Sequence, residues 1–231
     1  MYAKFFKRIL DFTLSLLALI VLSPILLILM AVGAVAMSGN PFFVQPRPGK
    51  KEETGVERIF YLIKFRTMTN ARDSNGELLP DDKRLPAYGK FLRSTSADEL
   101  PSLINILCGD LSIVGPRPQL VRDMIFMSPE QRRRHDVRPG LTGLAQVNGR
   151  NNITWEQKFE YDLQYIDSGI TFIGDVKIIL QTMGKVLKRS DTVREGTVSD
   201  MDFGDWLMKE GKIDKEIYDE KQAEAQKLLE V

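Results

Sequence analysis

The chain begins with a long apolar segment. From Phe12 to Met37 there is no charged residue, and as one helix this run would be about 39 Å long, more than the roughly 30 Å hydrocarbon core of a bilayer. Ser23 and Pro24 lie near its middle. Because proline removes a backbone donor and clashes with the preceding turn, a kink or a break is expected there. The pattern therefore predicts a membrane helix that is kinked or broken near its middle.

Basic residues flank this segment on both sides: Lys4, Lys7 and Arg8 precede it, and Arg47, Lys50 and Lys51 follow it. The positive-inside rule therefore assigns both ends to the cytoplasm. Two topologies fit the residues, a re-entrant helix-break-helix that enters and leaves by one face and an ordinary kinked spanning helix. The run is longer than the apolar core of a typical signal peptide and ends without a convincing cleavage site.

After the membrane segment the pattern predicts a small, mainly helical α+β domain. The proline-rich stretch from Asn40 to Lys51 is typical of a loop, and Ile59 to Phe65 is typical of a buried strand. The polar run from Asp73 to Arg84 predicts an exposed excursion. Helices are expected at residues 100–107, 119–127, 155–167 and 175–188, and a loop-strand-loop at residues 138–150.

Three parts follow from this pattern: a membrane helix at residues 1–39, a globular domain at 40–190 and a charged tail at 191–231. After Ser199 the sequence has ten acidic and five basic residues. Lys215 to Leu229 is predicted to form a charged, solvated helix or a tail, and we assign no chemistry to it.

Composition excludes several classes of protein. With 32 basic and 31 acidic residues, the global charge does not indicate a nucleic-acid partner. A single cysteine, Cys108, excludes an internal disulfide, and with one histidine, His135, zinc sites built from Cys and His pairs are excluded too. We interpret Cys108 as a small core residue and His135 as structural. A bound metal is expected to be a hard cation held by oxygens.

The strongest candidate chemistry is the pair Asp98 and Glu99, which lies between Arg93 and Arg117 in the sequence. Adjacent carboxylates beside cations suit Mg²⁺ and phosphate, and an ionised aspartate can attack phosphorus at neutral pH. An alternative is structural, because Ser96 and Glu99 have the spacing of a helix capping box. The residues alone leave both interpretations open.

Arginines are the second candidate group. Arg117 and Arg138 stand beside prolines and glycines, where an irregular backbone holds a guanidinium for bidentate contact with phosphate. A turn arginine that satisfies backbone carbonyls is the alternative. The run Arg132 to Arg134 could bind lipid phosphates, but we interpret it as a solvated helix face.

Six ordered stretches resemble one known family, the bacterial sugar transferases, and within it the monotopic polyprenyl-phosphate phosphoglycosyl transferases. The stretches are KRILDF (7–12), Ser23-Pro24, KFRTM (64–68), SADELPSLINIL (96–107), GDLSIVGPRP (109–118) and RPGLTGLAQVNGRN (138–151). The resemblance covers residues 7 to 188, nearly the whole chain, and so indicates a minimal member.

This resemblance implies a re-entrant membrane helix broken at Ser23-Pro24, with the catalytic domain on the cytoplasmic face of the bacterial inner membrane. It also implies a ping-pong transfer of a phosphosugar from a UDP-sugar to polyprenyl phosphate, with Asp98 as nucleophile, Glu99 as its partner and Mg²⁺ bound at Asp98. Candidate contacts to the donor are Lys64, Arg93, Arg117 and Arg150, with Arg138 added from the residue pattern.

The sugar is less defined by the sequence. The segment KRSDTVREG (188–196) is similar to members that use UDP-linked diacetamido-bacillosamine, and Leu144 stands where many members have tryptophan. Two rival functions are a membrane-anchored scaffold that binds anionic lipid and a glycosyltransferase that releases UDP.

Overall fold

The computed structural model describes residues 1–149, 153–188 and 201–230. It is mainly helical, as predicted, with two small sheets. A π-helical turn at Tyr2–Phe6 precedes the first helix. The helices are α1 Lys7–Ala36, α2 Asp81–Arg84, α3 Ala87–Thr95, α4 Leu103–Cys108, α5 Val121–Met124, α6 Leu144–Val147, α7 Trp155–Asp167, α8 Phe172–Lys188, α9 Phe203–Lys209 and α10 Lys215–Leu229, and two 3₁₀ helices cover Ala97–Ser102 and Gln131–Asp136. The strands are β1 Phe42–Lys51, β2 Glu57–Phe65, β3 Ser112–Val114 and β4 Gly140–Thr142.

Helix α1 is continuous through Pro24. Proline cannot donate to the carbonyl of Ile20, and the Ser23 hydroxyl donates to that oxygen instead (2.8 Å). Among the described residues, one helical stretch, Tyr2–Ala36, is long and apolar enough to cross a membrane, and its apolar part is almost entirely exposed. The apolar segment thus forms one helix, and the break that was one of the predicted outcomes at Ser23-Pro24 is absent from it.

The predicted loop at Asn40 to Lys51 is wrong, because residues 42–51 form β1, which pairs antiparallel with β2. Pro46 and Pro48 are tolerated because they lie two residues apart in a two-stranded ribbon, so both can face away from the partner strand. The predicted strand at Ile59 to Phe65 is confirmed within β2.

Side chains from the next segment tie the free edge of β2 to α4. Asn105 accepts from the Ile63 amide (3.0 Å) and donates to the Tyr61 carbonyl (2.8 Å). Ser102 donates to the Ile63 carbonyl (2.7 Å). These bonds satisfy strand groups that have no partner strand and hold the 3₁₀ helix Ala97–Ser102 against β2.

Helix α1 is anchored at its start. Arg8 donates to the carbonyls of Ile106 (2.5 Å) and Leu107 (2.7 Å), close to the C-terminal end of α4. Asp11, which is buried, accepts from the Ser112 hydroxyl (2.7 Å) and the Ile113 amide (3.1 Å) on β3. Helix α1 is therefore joined to the globular domain by buried polar bonds as well as by apolar packing.

Parallel strands β3 and β4 meet at two glycines. A Cβ on Gly140 would lie 2.1 Å from the Gly115 amide nitrogen, and one on Gly115 would lie 2.5 Å from the Arg138 carbonyl oxygen. No side chain fits between these backbones. The close approach sets the start of the Pro116-Arg117-Pro118 turn. The predicted loop-strand-loop at residues 138–150 is correct for the strand, but a short helix, α6, follows it.

Helix predictions were most accurate where the apolar period was long. Helices α7 and α8 form at Trp155–Asp167 and Phe172–Lys188. The helix expected at residues 119–127 is only one turn, α5. The helix expected at residues 100–107 begins as a 3₁₀ turn and continues as α4, which ends at Gly109 in the left-handed conformation (φ 89°).

The C-terminal helices pack on the domain. Phe203 is buried among Trp155, Phe159 and Met127, and its backbone amide donates to Asp123 (2.8 Å). Helix α10 forms at Lys215–Leu229 as predicted and buries Ala225 against α5. The acidic segment is therefore partly a packing element and not only a solvated one.

Three interpretations of single residues can now be compared with the structure. Arg134 is 1% exposed and ion-paired to Asp162, so a solvated face is wrong for it. Cys108 is exposed and is not a core residue. His135 is buried against Glu57 (3.1 Å), and burial lowers its pKa to about 4, which agrees with a structural role for a neutral imidazole.

Candidate active site

A cavity of about 1550 Å³ lies between β2, the 3₁₀ helix Ala97–Ser102, α7 and α8. Both carboxylates of the predicted pair line it, together with Lys64, Arg93 and Arg117. These residues are up to 53 positions apart in the sequence, from 64 to 117. The structure thus brings most of the predicted site residues to one place.

Asp98 and Glu99 lie on the 3₁₀ helix, which follows α3 without a loop. Ser96 joins the two elements in the left-handed conformation (φ 56°), and its side chain makes no capping hydrogen bond to this helix. The Glu99 carboxylate bonds Lys64 and Arg117 and does not reach back to cap the backbone. The capping-box interpretation is therefore wrong for this pair.

Two cations hold Glu99. Lys64 Nζ lies 2.8 Å from Oε1, and Arg117 donates to Oε1 at 2.6 Å and to Oε2 at 3.5 Å. Burial alone would raise the pKa of Glu99, but Arg117 and Lys64 outweigh it and hold that pKa well below its usual range. Burial lowers the pKa of the Lys64 ammonium, although Glu99 opposes that shift. Glu99 is thus a fixed anion between two cations.

The Asp98 carboxylate differs from the Glu99 carboxylate in its hydrogen bonding and in its pKa. Among the described residues its carboxylate accepts no hydrogen bond, and burial, followed by the charge of Glu99, raises its pKa to about 6. Lys64, Arg117 and Arg93 oppose the rise. A carboxylate with this pKa is mostly ionised at neutral pH and more basic than an ordinary aspartate, which favours it as a nucleophile.

Arg93 and Arg117 line the cavity from two different segments of the chain. Arg93, in the last turn of α3, donates to the Thr67 hydroxyl (3.0 Å). Gly89 allows this approach, because a Cβ there would lie 1.9 Å from the Thr67 carbonyl oxygen. The Arg117 side chain is 41% exposed and extends from its proline-bounded turn. Both guanidinium groups act on Asp98 through their charge, so a phosphate near Asp98 would be attracted by both.

Arg138 is not placed with these residues. Its Nε donates to the Gly109 carbonyl (2.9 Å), and it lines a separate cavity of about 260 Å³. This matches the alternative of a turn arginine that satisfies backbone carbonyls. Arg150 and all but the first residue of the segment 188–196 lie outside the described residues. Ser23 and Pro24 lie within the exposed apolar helix α1, away from the cavity.

Sequence reasoning missed several cavity residues. Arg47 on β1 lines the cavity and donates to the Pro118 carbonyl (3.2 Å), and burial, followed by the charge of Arg117, lowers its pKa to about 10. Gln146 and Asp162 also line it. The glycine-rich and helical patterns around them indicate only turns and a buried helix face. No local signal marks these side chains as facing a cavity.

The residues around Asp98 fit Mg²⁺ as a cation shared with a substrate. Within residues 1–149, 153–188 and 201–230, no three His, Cys, Asp or Glu side chains converge to hold a metal. Magnesium commonly binds through one or two carboxylates together with substrate phosphates. Within the part of the chain that the structure describes, Asp98 accepts no hydrogen bond while Glu99 is occupied by two cations, so of this pair it is Asp98 that has lone pairs to offer.

Comparison with known proteins identifies the family. Residues 2–189 match the family model described as bacterial sugar transferase. The chain is 48% identical over 181 residues to the uncharacterized sugar transferase EpsL of Bacillus subtilis (strain 168), a match that covers 78% of this chain and 87% of that protein.

Two further relatives carry more specific names. A UDP-glucose:undecaprenyl-phosphate glucose-1-phosphate transferase of Klebsiella pneumoniae is 39% identical over 78% of this chain and 40% of its own length. An undecaprenyl-phosphate galactose phosphotransferase of Salmonella typhimurium (strain LT2) is 34% identical over 81% of this chain and 41% of its own length. The chain spans about two fifths of these longer relatives. With the match over residues 2–189, these similarities show that the chain belongs to the bacterial sugar transferase family.

Proposed function

We propose that this protein transfers a phosphosugar from a UDP-sugar to undecaprenyl phosphate or another polyprenyl phosphate and releases UMP. The observation that carries the proposal is the asymmetry of the carboxylate pair. Glu99 is held by Lys64 and Arg117, while the carboxylate of Asp98 beside it accepts no hydrogen bond from any described residue and has a raised pKa. Names of relatives that act on undecaprenyl phosphate support the same reaction.

In the first step an Asp98 oxygen attacks the β-phosphorus of the UDP-sugar. The bond from that phosphorus to the oxygen bridging to UMP breaks, and UMP leaves with the electron pair. The phosphosugar is then bound to Asp98 as a mixed anhydride. In the second step a phosphate oxygen of the polyprenyl phosphate attacks the same phosphorus, which restores the Asp98 carboxylate and forms polyprenyl-diphosphate-sugar.

The remaining residues stabilise charge. Arg117, Arg93 and Lys64 surround the position of the reacting phosphate, where negative charge spreads over the phosphoryl oxygens. Mg²⁺, held by Asp98 and the donor diphosphate, would supply further neutralisation of that charge. Glu99 remains ionised and keeps Lys64 and Arg117 in place. A group so firmly paired is better suited to hold the site than to remove a proton.

The released nucleotide tests the reaction. Purified protein is incubated with undecaprenyl phosphate, Mg²⁺ and one of four donors, UDP-glucose, UDP-galactose, UDP-N-acetylglucosamine or UDP-diacetamido-bacillosamine. The last donor is included because of the segment 188–196, and the first two because of the relatives' names. UMP from at least one donor is expected. UDP as the nucleotide product would establish a glycosyltransferase, and no nucleotide with any donor would favour the lipid-binding scaffold.

We also propose that α1 is re-entrant in the bacterial inner membrane, with the catalytic domain at the cytoplasmic face. Both ends of the helix contact the same domain: Arg8 bonds α4, and the Tyr88 hydroxyl donates to the Leu29 carbonyl (2.8 Å). Between them Val21, Ile25 and Ile28 are 72%, 51% and 62% exposed. A straight helix would separate residues 8 and 29 by about 32 Å, so a bend at Pro24 would bring both ends to one membrane face.

Cysteine labelling in sealed inverted inner-membrane vesicles checks this topology. Cys108 is exposed and must first be replaced by serine. Ala3→Cys then places one thiol before α1, and Glu53→Cys places one after it, in the turn between β1 and β2; both positions are exposed. A membrane-impermeant maleimide is expected to label both from the outside of inverted vesicles. Labelling of one position only, with the other reacting after detergent is added, would establish a spanning helix.

A further inference from the structure

Two residues that line the cavity carry buried acceptor oxygens without a donor in the described part of the chain. They are Asp162 on α7, which is 2% exposed, and Gln146 on α6, which is 8% exposed. Among the described residues, neither Asp162 Oδ1 nor Gln146 Oε1 has a hydrogen-bond partner. An unsatisfied buried acceptor costs about 1–3 kcal/mol, and such groups in native proteins almost always have a partner. A donor from a cavity occupant would satisfy them.

The two oxygens of Asp162 have different environments. Oδ2 accepts from Arg134 Nε (3.0 Å) and Arg134 NH2 (2.6 Å). The guanidinium also lies 5.7 Å from the centre of the Phe159 ring, which restricts its position. Arg134 therefore balances the charge of the carboxylate and fixes its orientation, while Oδ1 remains unsatisfied. Oδ1 of this buried ion pair is therefore available for another contact.

Gln146 makes few hydrogen bonds within the described residues. Its Nε2 donates one long hydrogen bond to the Leu141 carbonyl (3.4 Å), and its Oε1 accepts none from them. Helix α6 packs against α7, so Gln146 and Asp162 belong to neighbouring elements of one wall. A buried amide with so few bonds is costly unless it contacts a ligand.

The chemistry of these oxygens limits what can bind. Both are acceptors, so the occupant must offer O–H or N–H groups, and the Asp162 charge disfavours phosphate. Phosphate groups are served by Lys64, Arg93 and Arg117 in the same cavity. A UDP-sugar has both kinds of group, a diphosphate and several hydroxyls.

We infer that Asp162 Oδ1 and Gln146 Oε1 form a subsite that binds hydroxyl groups of the UDP-sugar donor, from its sugar or from its ribose. The inference rests on the proposed function. Arg134 connects this subsite to the phosphate region, because its NH2 also donates to the Arg117 carbonyl (2.7 Å). An Asp162 held by a donor hydroxyl is thus part of the same buried network that positions the Arg117 turn.

Gln146→Met tests the subsite, since methionine has a similar volume and no amide oxygen. Affinities of UDP-glucose, UDP-galactose, UDP-diacetamido-bacillosamine and UMP are measured by calorimetry with full-length protein that also carries Asp98→Asn, so that the donor binds without reacting. Kinetic constants are measured with intact Asp98 and the donor that gives UMP. Donor binding is expected to weaken about tenfold, or about 1.4 kcal/mol, with KM for undecaprenyl phosphate unchanged. Gln164→Met, at an exposed position of α7, is the matched control and should bind like wild type.

Comparison of the probes identifies the hydroxyl source. Equal weakening for UMP and the UDP-sugar would assign the subsite to ribose, and weakening for the UDP-sugar alone would assign it to the sugar. Asp162→Asn is measured in parallel, and if it does not fold, Gln146→Met decides alone. Wild-type affinity of the folded variants for every probe would overturn the subsite. UMP release by the wild-type protein would still support the proposed function in that case.

Discussion

Replacing Asp98 with asparagine is expected to abolish UMP release and lower kcat by at least about 10⁴-fold. Asparagine has the same shape but lacks the anionic oxygen that forms the bond to phosphorus. The measurement is UMP release by chromatography with the donor identified for the wild-type protein. With the acceptor omitted, mass spectrometry should detect a phosphosugar on Asp98 in the wild type and none in the variant.

Stability separates this chemical effect from a failure to fold. Because the pKa of Asp98 is raised by burial, the charged form is disfavoured in the folded state relative to the unfolded state. Asp98→Asn removes that charge at pH 7, so its unfolding midpoint should equal or exceed that of the wild type. Asp167→Asn, at an exposed end of α7, is the control and should retain activity. UMP release by Asp98→Asn at the wild-type rate would refute the covalent mechanism.

Arg117→Lys is expected to lower kcat about 10²- to 10³-fold, the usual effect of losing one preorganised donor to a developing oxyanion. Lysine keeps the positive charge but lacks the planar guanidinium whose several N–H groups can contact Glu99 and a phosphate at the same time. The structure shows that fork on both Glu99 oxygens, at 2.6 and 3.5 Å. Steady-state kinetics with the identified donor measures the effect. Arg133→Lys, whose ion pairs with Glu130 and Asp167 lie at the surface, should have wild-type kinetics.

A double-mutant cycle that combines Arg117→Lys with Glu99→Gln identifies the role of the ion pair between these two residues. If Glu99 acts by holding Arg117, kcat of the double variant should be only slightly lower than kcat of the more impaired single variant, because both changes break the same ion pair. Full additivity of the two losses would mean that Glu99 and Arg117 act separately, and that the ion pair between them has no catalytic role.

The sequence predicted elements well where one physical signal was dominant. The β-branched and aromatic run in β2 and the helical period of α7 and α8 were sufficient to place these elements. Strand β1 was missed because its two prolines indicate a loop. Only the pairing with β2 shows that the absent backbone N–H groups of these prolines are not needed for hydrogen bonds between the strands. Helix α3 was missed because it is short and partly polar, and it is stabilised by contact with the segment after β2.

For the candidate site, most of the residues that the sequence identified line the cavity together, but one arginine was placed wrongly. Asp98, Glu99, Lys64, Arg93 and Arg117 were identified from residue type and from the family resemblance, and the structure brings them to one cavity. Arg138 was grouped with them because its neighbours resemble those of Arg117, but its guanidinium lies in a different cavity, beside Gly109. Local backbone character suggests that an arginine is held in place but does not indicate which surface it faces.

By itself, the sequence determined the apolar membrane segment, the mainly helical domain and the adjacent carboxylates, because hydropathy, periodicity and residue chemistry are local properties. Tertiary structure alone decided which carboxylate is clamped, since the state of Glu99 depends on Lys64 and Arg117 from distant segments. It also decided that Arg134 is buried and that Asp162 and Gln146 line the cavity. Burial and ion pairing depend on what packs against a side chain, and that is settled only when distant parts of the chain meet.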